Sequence, residues 1–430
     1  MLLIGGRMVK SLSLFVLLGL VAGLAAGAAI QSSGDANLTE AAGVLEAFGG
    51  LWLNALRMTV VPLVVALLIN GVASVSDAAR AGGLVARFVL LFSVLLFLAA
   101  AYAIGATEAL LGLWPVERGA AEAFIAGAGG TTAIEEAPSF AAWLQGLAPS
   151  NPVRAAAEDA MVPLVVFALF FGFAATRLAS EARTLVVDFF RAIADTMVII
   201  VHWVLLAGPI GVFCLSLGVG LRAGFGAAGV LVQYIVIVTA VLAGITLIGM
   251  LLAVTLGRQP LGRYIAATTP VWAIAASTQS SIASLPAMLE ACRLGLGLPE
   301  RVTNVILPLA VAVFRFTSPV GNLGVVLFIA HLYGIELNAM QIVGGVVVAY
   351  GVSIGAVGLP GQVSFVASIA PICLAMGVPI DLLGILIAVE IFPDIVRTLG
   401  NCAGDIAATA MLSDKKETAP QGAAPSVPAD

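Results

Sequence analysis

The sequence predicts an all-α integral membrane protein, and two observations carry that prediction. Of the 430 residues, 61% are hydrophobic and 10% are charged, whereas soluble proteins average about 25% charged and about 45–50% apolar residues. Uncharged apolar runs such as 12–30 and 227–256 also exceed the roughly 18 residues that cross a bilayer. The lipid bilayer is therefore the first partner that we expect, and nothing in the sequence indicates binding to nucleic acid.

Apolar runs separated by charged residues, Gly and Pro define the order of the elements. They predict eight spanning helices, at 10–31, 45–75, 83–113, 160–178, 190–221, 227–256, 302–333 and 381–412. Two further segments, 266–294 and 341–376, are predicted to form re-entrant helical hairpins. We expect a long loop over 115–159 and a disordered tail, rich in Pro and Ala, over 413–430.

The Lys and Arg residues predict the orientation of these segments, because cytoplasmic loops carry an excess of both. With the N-terminus in the cytoplasm and both hairpins re-entrant, most of the basic residues lie inside, and only Arg118, Arg154 and Arg222 lie outside. We therefore expect a multi-pass protein of the plasma membrane with both termini in the cytoplasm. In a bacterium this is the inner membrane.

Both hairpin segments carry helix-breaking residues at their middle. The first has a serine-rich stretch at 277–286, and the second has a stretch rich in Gly and Pro at 353–362. Non-helical backbone at membrane depth needs protein or a cavity to satisfy its polar groups, and two broken segments in corresponding places point to the binding site of a transporter. The alternative is a pair of spanning helices with ordinary Pro bends.

A stripe of polar residues runs along the last helix. At about 100° per residue its members share a face only about 100° wide; they are Glu390, Asp394, Arg397, Thr398, Asn401 and Asp405. Each ionised side chain at mid-membrane costs about 2.5–3.5 kcal/mol, so we interpret the stripe as functional. A purely structural ladder of salt bridges is the alternative.

The chemistry of the stripe predicts a small anionic solute. Arg397 offers a planar fork that binds a carboxylate bidentately, and Asp394, about one turn earlier, can accept from an ammonium group. Thr398 and Asn401 add neutral hydrogen bonds, and Asp405 can bind a hard cation or a proton. Because three carboxylates face one guanidinium along the stripe, cations, protons or another basic residue must compensate two negative charges.

Several motifs follow one another along the chain in a specific order. They are Arg-Met-x-Val-Val-Pro-Leu-Val at 57–64, Pro-Ser-Asn-Pro at 149–152, Pro-Ile-Gly-Val-Phe at 209–213, the serine-rich hairpin ending in Leu-Pro at 285–286, Ser-Ile-Gly at 353–355 with Gly-Leu-Pro-Gly at 358–361, and Arg-Thr-x-x-Asn-x-x-Gly-Asp at 397–405. The ordered set resembles the glutamate-transporter family, the dicarboxylate/amino acid:cation symporters, along nearly the whole chain.

The resemblance implies a homotrimer in which a transport domain moves like an elevator against a trimerisation scaffold. It assigns 1–225 mainly to the scaffold, with the third helix belonging to the transport part. It assigns 226–265 to the sixth helix and 266–412 to a transport core. The implied function is secondary active transport of acidic amino acids such as aspartate and glutamate, or of related dicarboxylates. No enzymatic activity and no cofactor are expected.

The resemblance also assigns roles in the site. Asp394 corresponds to the partner of the amino group and Arg397 to the partner of the side-chain carboxylate. Thr398 and Asn401 correspond to contacts of the α-amino and α-carboxylate groups. The remaining predicted contacts of the solute are Ser318 in the seventh helix and, near the hairpin tips, Ser280, Ser281, Leu359 and Val363. Family members that carry plain dicarboxylates lack an acidic residue at the position of Asp394, which favours an acidic amino acid here.

One departure from the family lies in the seventh helix. Members carry Asn-Met-Asp-Gly-Thr, whose Asn and Asp build sodium sites, whereas this chain has Phe-Arg-Phe-Thr-Ser at 314–318. Apolar rings cannot replace the oxygen ligands of a hard cation. We hypothesise that Arg315 stands in for a sodium ion and neutralises Asp405 or Glu390. This defines a cation or compensation site of Asp405, Asn401, Glu390 and Arg315.

The sequence leaves alternatives open on three points: the role of Arg315, the coupling ion and the function class. Arg315 could instead contact the solute as a second anion clamp, or extend to the membrane interface. The coupling ion is either sodium or a proton, or transport is uncoupled. The function could also be that of a C4-dicarboxylate transporter, or of an uncoupled channel or sensor built on the same scaffold.

Overall fold

The computed structural model describes residues 2–80, 83–128, 144–224, 226–355 and 361–413. The first half contains α1 (Leu2–Ser33), α2 (Ala36–Arg57), α3 (Val60–Arg80), α4 (Gly83–Leu113), α5 (Arg118–Gly127), α6 (Pro152–Ala157), α7 (Met161–Ala175), α8 (Ser180–Leu206), α9 (Gly208–Ala223) and α10 (Gly226–Thr255). The second half contains α11 (Leu261–Thr278), α12 (Ser281–Glu290) with a π-helical turn (Ala291–Gly295), α13 (Glu300–Val313), α14 (Ser318–Tyr333), α15 (Ala339–Gly355), α16 (Gly361–Met376), α17 (Leu383–Leu386) and α18 (Ile391–Met411).

The described residues form helices and no strands. Within the described ranges, four helical stretches are long and apolar enough to cross a membrane: Leu12–Ser33, Ala36–Ser76, Gly83–Leu113 and Gly226–Thr255. The pair α8 and α9 counts as a fifth if it is one span with a bend of 61°. The fold class is therefore that of a multi-pass helical membrane protein, as the composition predicts.

Four predicted single helices are each divided in two. The last of them, predicted over 381–412, forms α17 and α18, and the turn between them at 387–390 includes Glu390. The segment predicted as one helix over 45–75 forms α2 and α3, which are separated by a turn at Met58. The first of them, α2, already begins at Ala36, where Asp35 is its N-cap. The segment predicted as one helix over 190–221 forms α8 and α9, which meet at Ala207. Pro209 lies in the first turn of α9, where a residue without an N–H group is tolerated although it cannot continue an existing helix.

The prediction of a long loop over 115–159 was also partly wrong. Helix α5 begins behind Glu117, and α6 begins behind Asn151, whose side chain accepts hydrogen bonds from the backbone of Val153 and Arg154. In α6 this capping side chain satisfies the first N–H groups, whereas α5 has no side-chain cap and instead buries Phe124 and Ile125. The part of the predicted loop at 129–143, and the predicted tail beyond Ser413, lie outside the described residues.

Small residues let α1 approach α9 closely in the first half of the chain. Gly19, Gly23 and Gly27 lie on one face of α1, and a Cβ atom at any of them would overlap atoms of α9. This spacing of four residues is typical of close helix pairs in membranes. At the end of α9, Arg222 donates to both carboxylate oxygens of Glu46 in α2, at 2.8 and 2.9 Å. These contacts make α1, α2 and α9 one packed layer.

Helix α18 lies at the centre of the second half. It packs against α10 along much of its length and also contacts α11, α12 and α13. The segment predicted as the first hairpin is broken at Gln279, which has a left-handed backbone with φ of 53°, and the two helices that it joins pack against each other. Ser280 then caps α12, because its Oγ accepts from the N–H of Ala283.

The helix predicted over 302–333 is likewise broken. Helix α13 ends at Val313 and α14 begins at Ser318, so that the segment 314–317 has no regular helix. Its extended start at Phe314 brings the backbone beside α18. The departure from the family motif therefore falls where the seventh helix is interrupted.

Candidate functional site

Helix α18 carries the polar stripe into the interior of the protein. The exposed fractions are 3% for Glu390, 7% for Arg397, 4% for Asn401 and 0% for Asp405. Asp394 is half-buried. Charged groups this deep need partners or a ligand, so the contacts around the stripe define the site.

Arg397 and Glu390 form a buried ion pair. The Nη2 of Arg397 donates to Oε1 of Glu390 at 2.7 Å, and the hydroxyl of Tyr234 donates to Oε2 at 2.8 Å. Tyr234 belongs to α10 and is fully buried, with its ring edge-on to that of Phe328. Both oxygens of the Glu390 carboxylate are thus occupied, and one of them by the residue predicted to bind the solute.

Helix α14 supplies the other side of the Arg397 guanidinium. Its Nη1 lies 3.5 Å from Oδ1 of Asn322, and the amide nitrogen of Asn322 donates to Oγ of Ser318 at 3.3 Å. Gly321 makes room, because a Cβ atom there would lie 2.6 Å from Nη2 of Arg397. The structure therefore links the predicted site residues Ser318 and Arg397 through Asn322.

Thr317 joins the interrupted helix to α18. Its N–H donates to Oδ1 of Asn401 at 3.0 Å, and its hydroxyl lies 2.9 Å from both that oxygen and the carbonyl oxygen of Arg397. These bonds use the amide oxygen of Asn401 and leave its NH₂ group as the part that can donate elsewhere. Thr398 is nearby on α18, and its hydroxyl donates to the carbonyl of Asp394 at 2.9 Å.

The two phenylalanines of the interruption are buried between helices. Phe314 and Phe316 are each 2% exposed. Phe314 stacks on Phe92 of α4, and Phe316 packs into the space beside Gly404, where a Cβ atom would lie 2.7 Å from the ring. The positions that carry oxygen ligands in the family motif are thus filled by packed rings.

Arg315 lies between these rings and faces the site. Its Nη1 donates to Oγ of Ser364 in α16 at 2.9 Å, and its charge interacts with those of Asp394 and Asp405. Neither oxygen of the buried Asp405 carboxylate accepts a hydrogen bond from the residues that the structure describes. A guanidinium within electrostatic range of an otherwise unpaired carboxylate is the arrangement that charge compensation requires.

The predicted hairpin contacts are placed unequally. The hydroxyls of Ser281 and Ser284 lie against the thiol of Cys402 on α18, which brings the tip of the first hairpin beside Asn401. The Oγ of Ser280 serves as the N-cap of α12. Leu359 lies outside the described residues, as does the side chain of Val363.

Four residues of the site were not predicted from the sequence: Tyr234, Asn322, Thr317 and Ser364. Tyr234 and Asn322 are polar groups inside apolar helices, which is a usable signal because such groups need partners. Thr317 and Ser364 carry small hydroxyls that are common in membrane helices. Their contacts with Asn401 and Arg315 depend on packing between distant segments, which their sequence context does not indicate.

Apolar spanning helices around a buried, charged and polar cluster define the class, a multi-pass membrane protein with an internal site for a polar solute. The profile of the Sodium:dicarboxylate symporter family matches residues 12–415. The chain belongs to this family, which confirms the predicted resemblance. It is therefore a membrane transport protein and not an enzyme.

Individual relatives align over nearly the whole chain. The Proton/glutamate-aspartate symporter of Escherichia coli is 26% identical, over 94% of this chain and 92% of its own length. The Neutral amino acid transporter B(0) of Homo sapiens is 30% identical, over 94% and 80%. The Proton/sodium-glutamate symport protein of Geobacillus stearothermophilus is 24% identical, over 93% of both chains. These relatives differ in solute and in coupling ion, so their names alone assign neither.

Proposed function

We propose that this protein is a secondary active transporter for acidic amino acids of the aspartate and glutamate type. The proposal rests on the positions of Arg397 and Asp394, which lie on one face of α18 about one turn apart, within an interior site. A guanidinium and a carboxylate at this spacing complement a solute with a side-chain carboxylate and an ammonium group. Thr398, Asn401, Ser318, Ser280 and Ser281 supply neutral contacts in this proposal.

The hairpin residues Leu359 and Val363 remain proposed contacts on the strength of the resemblance. The same source supports the architecture that we propose: eight spanning helices, two re-entrant hairpins and an elevator movement within a homotrimer. The scaffold then occupies mainly 1–225, the sixth helix 226–265 and the transport core 266–412. We place the protein in a plasma membrane, the inner membrane in a bacterium, with both termini in the cytoplasm.

Transport is sodium-independent in this proposal, and the proton is the coupling ion. Phe314 and Phe316 offer no oxygen ligands, and the charge of Arg315 acts on Asp405. Arg315 is half-buried and donates to Ser364. Both observations favour a guanidinium that compensates charge inside the protein over one that extends to the membrane interface. The relative from Escherichia coli is a Proton/glutamate-aspartate symporter, which supports the choice of ion.

Uptake of labelled aspartate into proteoliposomes tests the coupling ion. With sodium replaced by choline on both sides and an inward proton gradient, we expect saturable uptake and accumulation. If uptake collapses without sodium, Arg315 does not stand in for the ion. Counterflow separates a transporter from the other classes, because internal aspartate accelerates labelled uptake through a carrier. An uncoupled channel shows no saturation, and a sensor shows no flux.

The variant Asp394→Asn tests the solute. Loss of a charge-assisted hydrogen bond to the ammonium group costs about 1.5–3 kcal/mol, which is about a 10- to 150-fold loss of affinity for aspartate. Succinate has no ammonium group to lose, and the variant removes a carboxylate that repels it, so competition by succinate should stay the same or increase. Asp188→Asn is the matched control, because Asp188 is an exposed residue paired with Arg191 on α8. Preference for succinate over aspartate in the unmodified protein would favour a C4-dicarboxylate transporter.

A further inference from the structure

The charges of the site do not balance when an acidic amino acid is bound. Three carboxylates, of Glu390, Asp394 and Asp405, face two guanidinium groups, of Arg315 and Arg397. Without solute, Arg397 pairs with Glu390 and Arg315 acts on both Asp394 and Asp405, which leaves one negative charge for an ammonium group. A bound solute then supplies that ammonium group and also requires Arg397.

The single positive charge of Arg397 cannot compensate two carboxylates. Its Nη2 donates to Glu390, its Nη1 is 3.5 Å from Asn322, and its buried Nε has no partner among the described residues. A solute carboxylate can bind to the donors that remain. It then draws on the charge that compensates Glu390, at a position where Glu390 is 3% exposed.

Among the residues that the structure describes, no second cation acts on Glu390. Among the described residues, the ionisable groups that act on it are Tyr234 of α10 and Arg397 and Asp394 of α18. The contribution of α14 near this point is the neutral Asn322, and α17 is entirely apolar. An isolated buried carboxylate takes up a proton in preference to remaining charged. The Tyr234 hydroxyl can hold the protonated form, since a phenol both donates and accepts.

We infer that Glu390 is the proton carrier of this transporter, and that its ion pair with Arg397 is exchanged for the carboxylate of the incoming solute. The inference rests on the proposed function. One proton binds Glu390 when the solute takes Arg397, and the same proton leaves when Arg397 returns to Glu390. The stoichiometry of this step is one proton per solute molecule, and no bond other than the O–H bond of Glu390 forms or breaks.

Aspartate binding to the purified full-length protein in sodium-free buffer tests the exchange. Calorimetry in two buffers of different ionisation enthalpy gives the number of protons taken up per aspartate bound. We expect about one for the unmodified protein. The affinity should fall about tenfold per pH unit over the pH range in which Glu390 is ionised in the free protein and protonated in the complex. For Glu390→Gln we expect no proton uptake and an affinity that does not depend on pH.

The amide of Glu390→Gln does not compete as an anion for Arg397, so this variant should bind aspartate more tightly than the unmodified protein at alkaline pH. Loss of binding by this folded variant, or unchanged proton uptake, would overturn the inference. Glu336→Gln is the matched control, because Glu336 is exposed on a loop, and it should behave as the unmodified protein does.

Tyr234→Phe provides a second and milder test of the same carrier. Removal of the hydroxyl takes one hydrogen bond from the charged form of Glu390, so the pH profile of aspartate affinity should move to higher pH while about one proton is still taken up. An unchanged profile would contradict the inference. The proposed function fails separately: an unmodified protein that binds no acidic amino acid without sodium refutes that function, whereas binding without proton uptake refutes the carrier alone.

Discussion

Arg315 and Asp405 should behave as an energetically coupled pair, and a double-mutant cycle measures the coupling. Asp405 is 0% exposed, neither of its carboxylate oxygens has a hydrogen-bond partner among the described residues, and the cation that acts on it is Arg315. Breaking a buried pair by removing one partner costs about 3–5 kcal/mol, because the other charge is left uncompensated. We expect a value near the lower end for Arg315→Gln, because Arg315 is half-buried and acts on Asp405 without a hydrogen bond.

The double variant Arg315→Gln/Asp405→Asn removes both charges at once. Its loss of stability should be smaller than the sum of the two single losses by about 1 kcal/mol, in the lower part of the range for coupled residues, because the coupling is electrostatic without a hydrogen bond. Unfolding of the detergent-solubilised protein, followed by thermal shift in sodium-free buffer at neutral pH, gives the four values of the cycle. Strictly additive losses would refute the idea that Arg315 compensates Asp405.

An exposed pair on the same chain is the control for this cycle. Arg191 donates to Asp188 at 2.8 Å, three residues away on α8, and the two side chains are 60% and 55% exposed. Exposed pairs of this kind contribute about 0–1 kcal/mol, so the cycle of Arg191→Gln and Asp188→Asn should be additive to within about 0.5 kcal/mol. The contrast isolates burial as the cause of the coupling.

Two further predictions concern contacts between segments that are distant in the chain. Arg57 donates to Asp381 at 2.5 Å, with exposed fractions of 33% and 25%, so Arg57→Asp should lower aspartate uptake and lower stability by about 1 kcal/mol. The charge-swapped variant Arg57→Asp/Asp381→Arg should restore both in uptake and thermal-shift assays, and failure of this rescue would contradict a role for the ion pair itself. Gly404→Ala should cost about 1–3 kcal/mol, because the added Cβ would lie 2.7 Å from the Phe316 ring. Gly105→Ala, at an exposed position with no neighbouring atoms within 4 Å, should leave stability unchanged or raise it slightly, and equal effects of the two variants would argue against the packing explanation.

Helix boundaries show where local patterns lose their predictive value. Hydropathy averages over a window, so the run at 190–221 reads as one helix although α8 and α9 meet at an angle of 61°. The Pro of the second helix was visible in the sequence, but a Pro is compatible with both a kink and a new first turn. The choice between them was made by the packing of α9 against α1 and α2.

The polar stripe of the last helix, in contrast, was predicted well from a local pattern. Spacing alone placed Glu390, Arg397, Asn401 and Asp405 on one face, and in the structure all four are buried. This succeeded because the period of a helix relates side chains at short separations, with no knowledge of what lies opposite. The same reasoning could not divide the stripe into parts that bind solute and parts that compensate charge.

The sequence by itself determined the membrane class, the family and the face of α18 that carries charge, because composition, motif order and helical period are properties of the chain alone. Only the tertiary structure decided which charge meets which partner. Tyr234 lies 156 residues before Glu390, and Arg315 lies 49 residues before Ser364, yet both pairs are within hydrogen-bond distance. Such contacts arise from the packing of distant helices around a shared site, and that packing assigns Arg397 to Glu390 and Arg315 to the space between Asp394 and Asp405.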